Sequence, residues 1–328
     1  MYHFDVLFLD VSANKYFDRQ VLEKHPLGGT EASIIRVAEG LASLGLKICV
    51  MQSRCSYFEA VMGQHCFFMH SNDLDKVSTM NFVQIRDAKN SHLFQDAKKY
   101  VWCHDLGHDA MKDWIGKLKI HDVTVVAVSR WHRQNLKKYL DNYEKTTYIY
   151  NPVPTNIFID QDKRVPYDKN LLVWCASPHK GLGKAIELFR KLRNERPKLQ
   201  LIIFNPGYYE LDTITEPGTA VYGPTNCQLL WTQMSRSLCV FYPCEWDETF
   251  GLIAAEANAM GVPIATYRRG ALKEIVSSDN QMVEQDDEQA FMDMVLKWNT
   301  EGRPNNIYGQ EEFKLDSVIM DWVRMLAK

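Results

Sequence analysis

The 328-residue sequence has no apolar run able to cross a bilayer. Its least polar stretches, VTVVAV and LCVFY, stop after about six residues, where a spanning helix needs about twenty. It has no surplus of positive charge either. The 38 Lys and Arg against 41 Asp and Glu leave a formal charge of -3, which excludes the broad basic surface of a nucleic-acid binder. No two of the eight cysteines form a CxxC pair. Several lie inside apolar runs (KICVM, YVWCHD, LVWCAS, SLCVFY), where a reduced thiol acts as a small hydrophobe, so a reducing, cytoplasmic setting is expected. The opening MYHFDVLFLD carries Asp5 and Asp10 and no basic start, so it reads as a strand rather than a signal peptide. GxGxxG and GxxxxGK[ST] are both missing, which disfavours NAD and P-loop chemistry. A peripheral contact with a membrane surface stays compatible with all of this.

What is present is a regular alternation. With 46% hydrophobic and 24% charged residues the chain is globular, and its length suits two domains. Strands are expected at 4–10, 47–53, 81–87, 99–105, 123–129 and 146–153, with helices at 30–45 and 130–140 between them. The pattern then restarts: strands at 170–177, 199–205, 238–243 and 262–267 alternate with helices at 182–196, 226–237 and 250–261. A terminal amphipathic helix covers 316–328. Strands separated by helices imply parallel sheets of βαβ units, so the expected class is α/β with two doubly wound, Rossmann-like domains. The proline-rich NPVPTNIFIDQDKRVPYDKN marks the boundary, placing an N-terminal domain at 1–153 and a C-terminal one at 154–315. Ligands of such sheets lie beyond the carboxyl ends of the strands, which directs attention to the loops after each strand.

Four such places carry chemistry. In CEWDETFGLIAAEANAMGVPIA, Glu248 and Glu256 bracket an apolar core. On one helix they would stand roughly 12 Å apart, beyond the 5–9.5 Å or so of a glycosidase acid pair. With Glu248 in the loop and Glu256 inside the helix, they suit the two ends of an elongated ligand, with an anion at the amides of Phe250, Gly251 and Leu252 between them. The plainer alternative is a helix cap and a solvated acid. Lys180, in CASPHKGLGK, stands at a strand-to-helix turn beside Gly181, where it would neutralise a phosphate as a point charge or simply start a solvated helix. In HPLGGTEAS, Gly28 and Gly29 precede a helix with Thr30 as the expected N-cap; they suit close approach of a phosphate or sugar, or an ordinary turn. His104 and Asp105 end a strand in VWCHDLGHD. His104 and His108 have the i,i+4 spacing of a metal pair but no third ligand nearby, so a hydrogen bond from His104 to a sugar hydroxyl is the better expectation. NDLD (72–75) reads as a solvated turn rather than an Asp-x-Asp metal motif.

Taken in order, these segments resemble the GT-B glycosyltransferases of the large retaining family 4 (glycosyl transferases group 1). GGTEASIIRVAEGLASLGLKICVM resembles the family's GGxE loop and first helix, AVSRWHRQNL its VSxxxxxxL segment, and IYNPVPTNIF its hinge. ETFGLIAAEANAMGVPIAT resembles its E-x7-E element and following strand. The resemblance implies that Glu248 contacts the donor sugar, Glu256 the ribose, and Lys180 the diphosphate. It also implies that Gly28 and Gly29 lie against the reacting centre, that His104 touches the donor sugar, and that the terminal helix returns to the N-terminal domain. One position departs: the family's GRxxxxKG has its arginine about where Cys175 stands in WCASPHKG, which leaves Lys180, helped by Ser177 and the helix start near Gly251, to meet the phosphates.

The function expected on these grounds is transfer of a hexose from a UDP- or GDP-linked sugar to a glycan, lipid or other hydroxyl acceptor, with retention and with neither metal nor cofactor. Two readings stand beside it: a nucleotide-sugar epimerase of the same fold, and a catalytically silent nucleotide-binding subunit. Segments 205–209 and 222–231 are expected to shape the base pocket. Loops 11–27, 54–80 and 105–120, with Tyr57 and Trp114, are expected to shape the acceptor side.

Overall fold

The computed structural model describes residues 1–55, 65–159, 166–205, 207 and 213–328, and the backbone of 59–61. Tyr57 and most of 205–209 lie outside that set. The chain divides into two compact units. One comprises Met1–Val21, Gly29–Pro152 and Glu312–Lys328, and the other Leu22–Gly28 and Val153–Glu311.

The first unit is built on β1 (Tyr2–Asp10), β2 (Ile48–Gln52), β3 (Glu59–Val61), β4 (Cys66–His70), β5 (Val77–Ile85), β6 (Lys98–Trp102), β7 (Val123–Ala127) and β8 (Thr146–Tyr148). The dividing line passes inside α1 (Arg19–Lys24), while α2 (Gly29–Ser43), α3 (Trp114–Ile120) and α4 (Arg130–Tyr139) belong to this unit. The sheet order is β3-β4-β2-β1-β5-β6-β7-β8. Every pairing is parallel except the β3–β4 edge. β1 and β2 are apolar along most of their length because helices cover both faces of a parallel sheet. The chain winds from β1 outward through β2 and β4, then returns to β5 on the other side of β1. The winding therefore reverses between β1 and β5.

The second unit holds β9 (Leu171–Cys175), β10 (Gln200–Phe204), β11 (Thr219–Tyr222), β12 (Cys239–Tyr242), β13 (Ile264–Tyr267) and β14 (Met282–Val283). Its helices are α5 (Leu182–Glu195), α6 (Cys227–Arg236), α7 (Leu252–Ala259), α8 (Leu272–Ile275) and α9 (Glu288–Glu301). The wholly parallel order β11-β10-β9-β12-β13-β14 reverses between β9 and β12. The final helix α10 (Leu315–Ala327) packs in the first unit. Its Trp322 meets Phe8 and Trp102 edge to face at 5.8 and 4.7 Å. Gly40 of α2 leaves the room α10 needs, since a Cβ there would lie 2.4 Å from Ile319.

Several sequence expectations shift. The stretch 54–80 contains β4 and not a continuous loop, because CFFMH is buried on both faces and shows no alternation. Likewise 105–120 contains α3, and the strand expected over 146–153 stops at Tyr148. Thr30 is not an N-cap: α2 already includes Gly29. The helix expected from Phe250 begins at Leu252, with Gly251 left-handed at φ 91° as its N-cap. Among the described residues no helix is long and apolar enough to cross a membrane. All eight cysteines are free thiols.

Candidate active site

In the second unit the turns after β9 and β12 are pinned together at the reversal point. Beyond Cys175 the chain passes Ser177 in extended backbone, makes a short 3-10 turn over Pro178–Lys180, and enters α5 through left-handed Gly181. A Cβ on Gly181 would fall 2.6 Å from the Pro243 carbonyl, so glycine is what lets the two turns touch. The Lys180 carbonyl accepts from Glu245 N at 3.1 Å. Lys180 Nζ then donates to Glu248 Oε1 at 2.7 Å, and Tyr242 donates its hydroxyl to the same oxygen at 2.6 Å. Burial and the facing carboxylate push the Tyr242 phenol well above its ordinary value, so it stays protonated as a donor. Glu248 itself is held from behind. Its carbonyl accepts Ala271 N at 2.8 Å, and Gly270 lies so close that a Cβ would meet its backbone at 2.6–2.7 Å.

Glu256 sits one turn into α7, buried, with Oε2 accepting the Trp231 indole N–H at 2.9 Å. Phe250 is buried at the approach to α7, and a Cβ on Gly251 would strike Leu272 at 2.8 Å. Cys175 is a poor thiolate, because burial, with the Glu256 carboxylate adding to it, pushes its thiol up to about 12. Thus Lys180 and Glu248 are brought together, with Ser177 in the same turn. Glu256 is tied instead to α6.

Most of the remaining candidate residues belong to the first unit. Gly28 closes the segment assigned to the second unit, whereas Gly29 opens α2 in the first. His104, just beyond β6, is buried with its ring 4.6 Å from that of Trp102. Burial, then Arg86 and His132, hold it well below its ordinary pKa, so it is neutral at physiological pH. His108 turns to Trp114 instead, 6.4 Å between rings. Among the described residues no group of three or more His, Cys, Asp or Glu is placed to hold a metal ion.

At the reversal of this sheet lies a cluster that the motif search passed over. Arg86, directly after β5, donates to Asp10 Oδ2 at 3.0 Å and to Glu31 Oε1 at 2.9 Å, and its Nε is 3.7 Å from Asp105 Oδ2. Asp10 ends β1, Glu31 lies in the first turn of α2, and Asp105 follows His104. A charge closing a largely apolar strand, as in VLFLD (6–10) and FVQIR (82–86), was the available signal. Tyr242, which fixes Glu248, carried no signal beyond being aromatic, whereas Trp231, which fixes Glu256, ends the 222–231 segment expected to shape the base pocket.

Residues 158–312, nearly the whole second unit, match the family described as Glycosyl transferases group 1. The chain carries a glycosyl transferases group 1 domain. Solved structures agree in fold over the full length. Sucrose-phosphate synthase from Thermosynechococcus elongatus superposes with a TM-score of 0.75 at 14% identity, covering 100% of this chain and 98% of that one. Anabaena HepE, solved in complex with UDP and glucose, gives 0.70 at 14% identity, covering 99% and 100%. TarM gives 0.59 at 14% identity over 76% of this chain, which spans only 55% of TarM. No curated protein sequence matches significantly. The two parallel-sheet units are those of the GT-B fold.

Proposed function

We propose that the protein is a retaining hexosyltransferase that moves a hexose from a UDP- or GDP-linked sugar to a hydroxyl of a glycan or lipid-linked acceptor. The observation that carries this reading is the Lys180–Glu248 contact at the β9/β12 reversal, where doubly wound sheets bind ligands. Lys180 has one carboxylate partner at 2.7 Å and a side chain 25% exposed. An arriving diphosphate can take over the ammonium, which frees Glu248, still oriented by Tyr242, to accept hydrogen bonds from sugar hydroxyls. Glu256, oriented by Trp231, suits the ribose hydroxyls. The HepE complex with UDP and glucose supports a uridine donor.

In the chemical step the anomeric carbon–oxygen bond to the β-phosphate breaks as the acceptor oxygen attacks from the same face. The acceptor proton passes to the departing phosphate oxygen. Negative charge grows on that phosphate, and a fixed ammunition of positive charge is what lowers the barrier: Lys180, with the amides at the start of α7. This scheme assigns no role to a metal, so activity is expected to persist in EDTA.

The test is a panel of UDP- and GDP-sugars. Thermal shift selects the donor, and NMR of the product reads the anomeric configuration. Retained configuration with nucleoside diphosphate released only when acceptor is present supports the proposal. Inversion overturns retention, turnover of the sugar nucleotide without acceptor favours an epimerase, and binding without turnover favours a silent subunit.

A further inference from the structure

We propose that Arg86 is a positioning residue for the acceptor-side half of the reaction. Its guanidinium ties the start of α2 and the segment carrying His104 to the end of β1 in one fixed arrangement. The inference rests on the glycosyltransferase reading above and adds a residue that neither the motifs nor the family match singles out.

Three elements distant in sequence meet on this one side chain. Nη1 reaches Asp10 Oδ2 at 3.0 Å and Ser12 Oγ at 3.2 Å, Nη2 reaches Glu31 Oε1 at 2.9 Å, and Nε faces Asp105 Oδ2 at 3.7 Å. The backbone of Arg86 is engaged too, its N–H donating at 3.0 Å to the carbonyl of Trp102, whose tilted ring lies 4.6 Å from that of His104. Arg86 adopts φ 70°, a left-handed conformation rare for a side chain of this size, and such conformations persist where the surroundings over-determine them. The residue stands at the β1/β5 reversal, the ligand-binding edge of the sheet.

The division of labour follows from exposure. Asp10 is fully buried, with Oδ1 taken by Ser12 N and Oγ at 2.9 and 2.7 Å and Oδ2 by Arg86. It is an anchor with nothing left for a ligand. Asp105 is 64% exposed and the most loosely held of the three. With three carboxylates around one guanidinium, the arginine has no capacity for an anionic ligand, so its effect passes through the residues it holds. Its cation also faces His104, alongside His132 from α4, and both act with burial to disfavour the imidazolium.

The experiment compares wild type, Arg86→Met, Arg86→Lys and the double variant Asp10→Asn/Arg86→Met, in the intact chain with the donor found above. Arg86→Met is expected to lower kcat by about 10²-fold, the cost of small misplacement at a reacting centre, while the midpoint of UDP or GDP binding stays unchanged. Arg86→Lys, a point charge without the fork, should lose nearly as much. The acid limb of the pH–kcat profile should move to higher pH in Arg86→Met. The double variant removes the buried acid that needs a cation, so its Tm should recover while kcat stays low. If kcat recovers together with Tm, or if Arg86→Met transfers at the wild-type rate, the positioning role is overturned and the glycosyltransferase reading stands. If wild type transfers nothing from any donor, both fall.

Discussion

The two sheets reverse their winding in the same way, yet they place opposite kinds of charge cluster there. At the β9/β12 reversal a lysine meets one glutamate, and its side chain is part-exposed. At the β1/β5 reversal an arginine meets an anchor acid with no exposure and two further carboxylates. A lysine is a flexible point charge that exchanges one anionic partner for another at little cost, whereas an arginine fork engaged on three sides does not. The comparison separates two uses of a cation at a ligand edge. Under the proposed function, one suits exchange with a substrate anion and the other suits holding the architecture around it.

The sharpest way to break that comparison is Lys180→Ala. Loss of one preorganised charge at a developing oxyanion costs about 10²–10³-fold in rate, and because Glu248 keeps the Tyr242 hydroxyl when the ammonium is removed, the melting temperature should fall less than in Arg86→Met. Nucleoside diphosphate release and calorimetry on the same sample read both quantities. A large drop in Tm with modest loss of turnover would make the lysine structural.

Arg86→Met should give the reverse balance in stability. Removing one partner of a buried ion cluster costs about 3–5 kcal/mol. The pH dependence follows from Asp10, whose carboxyl is raised by burial and only partly lowered by Arg86 and Ser12. A carboxyl raised in the folded state favours folding below its unfolded pKa and loses that contribution as pH rises through the folded value. Without Arg86 that pKa climbs further. The Tm gap between variant and wild type is therefore expected to widen from about pH 4 toward neutrality, and melting curves across that range check it.

Smaller effects refine the second site. Gly181→Ala forces a side chain into φ 118° and against the Pro243 carbonyl. It should cost about 1–3 kcal/mol, read by denaturant unfolding, and should weaken donor binding because the turns after β9 and β12 part. Trp231→Phe removes the indole donor from Glu256. A single hydrogen bond to a charged group contributes about 1.5–3 kcal/mol, so the donor KM should rise roughly tenfold with kcat nearly unchanged.

How legible each cluster was in the sequence also differs. Glu248 and Lys180 stood in loops directly after apolar runs, and the rule that ligands gather there was enough to nominate them. What the pattern missed was what holds them: Tyr242 is a buried strand residue like its neighbours, and Trp231 lies 25 residues from Glu256. Helix α9 and strands β11 and β14 lay in stretches to which the pattern assigned nothing. β4 was hidden for a simpler reason, since a strand buried on both faces has no period to detect.

By itself, the order of apolar and amphipathic segments determined that there would be two parallel α/β units, and it nominated the loops beyond their strand ends as the place to look for chemistry. Hydrophobic periodicity is local, and it survives without knowledge of neighbours. Only the tertiary structure decided that Arg86 would meet Asp10 and Glu31, 76 and 55 residues away. That meeting depends on β5 returning to the far side of β1, a pairing set by burial of whole strands against one another and written in no short stretch of the chain.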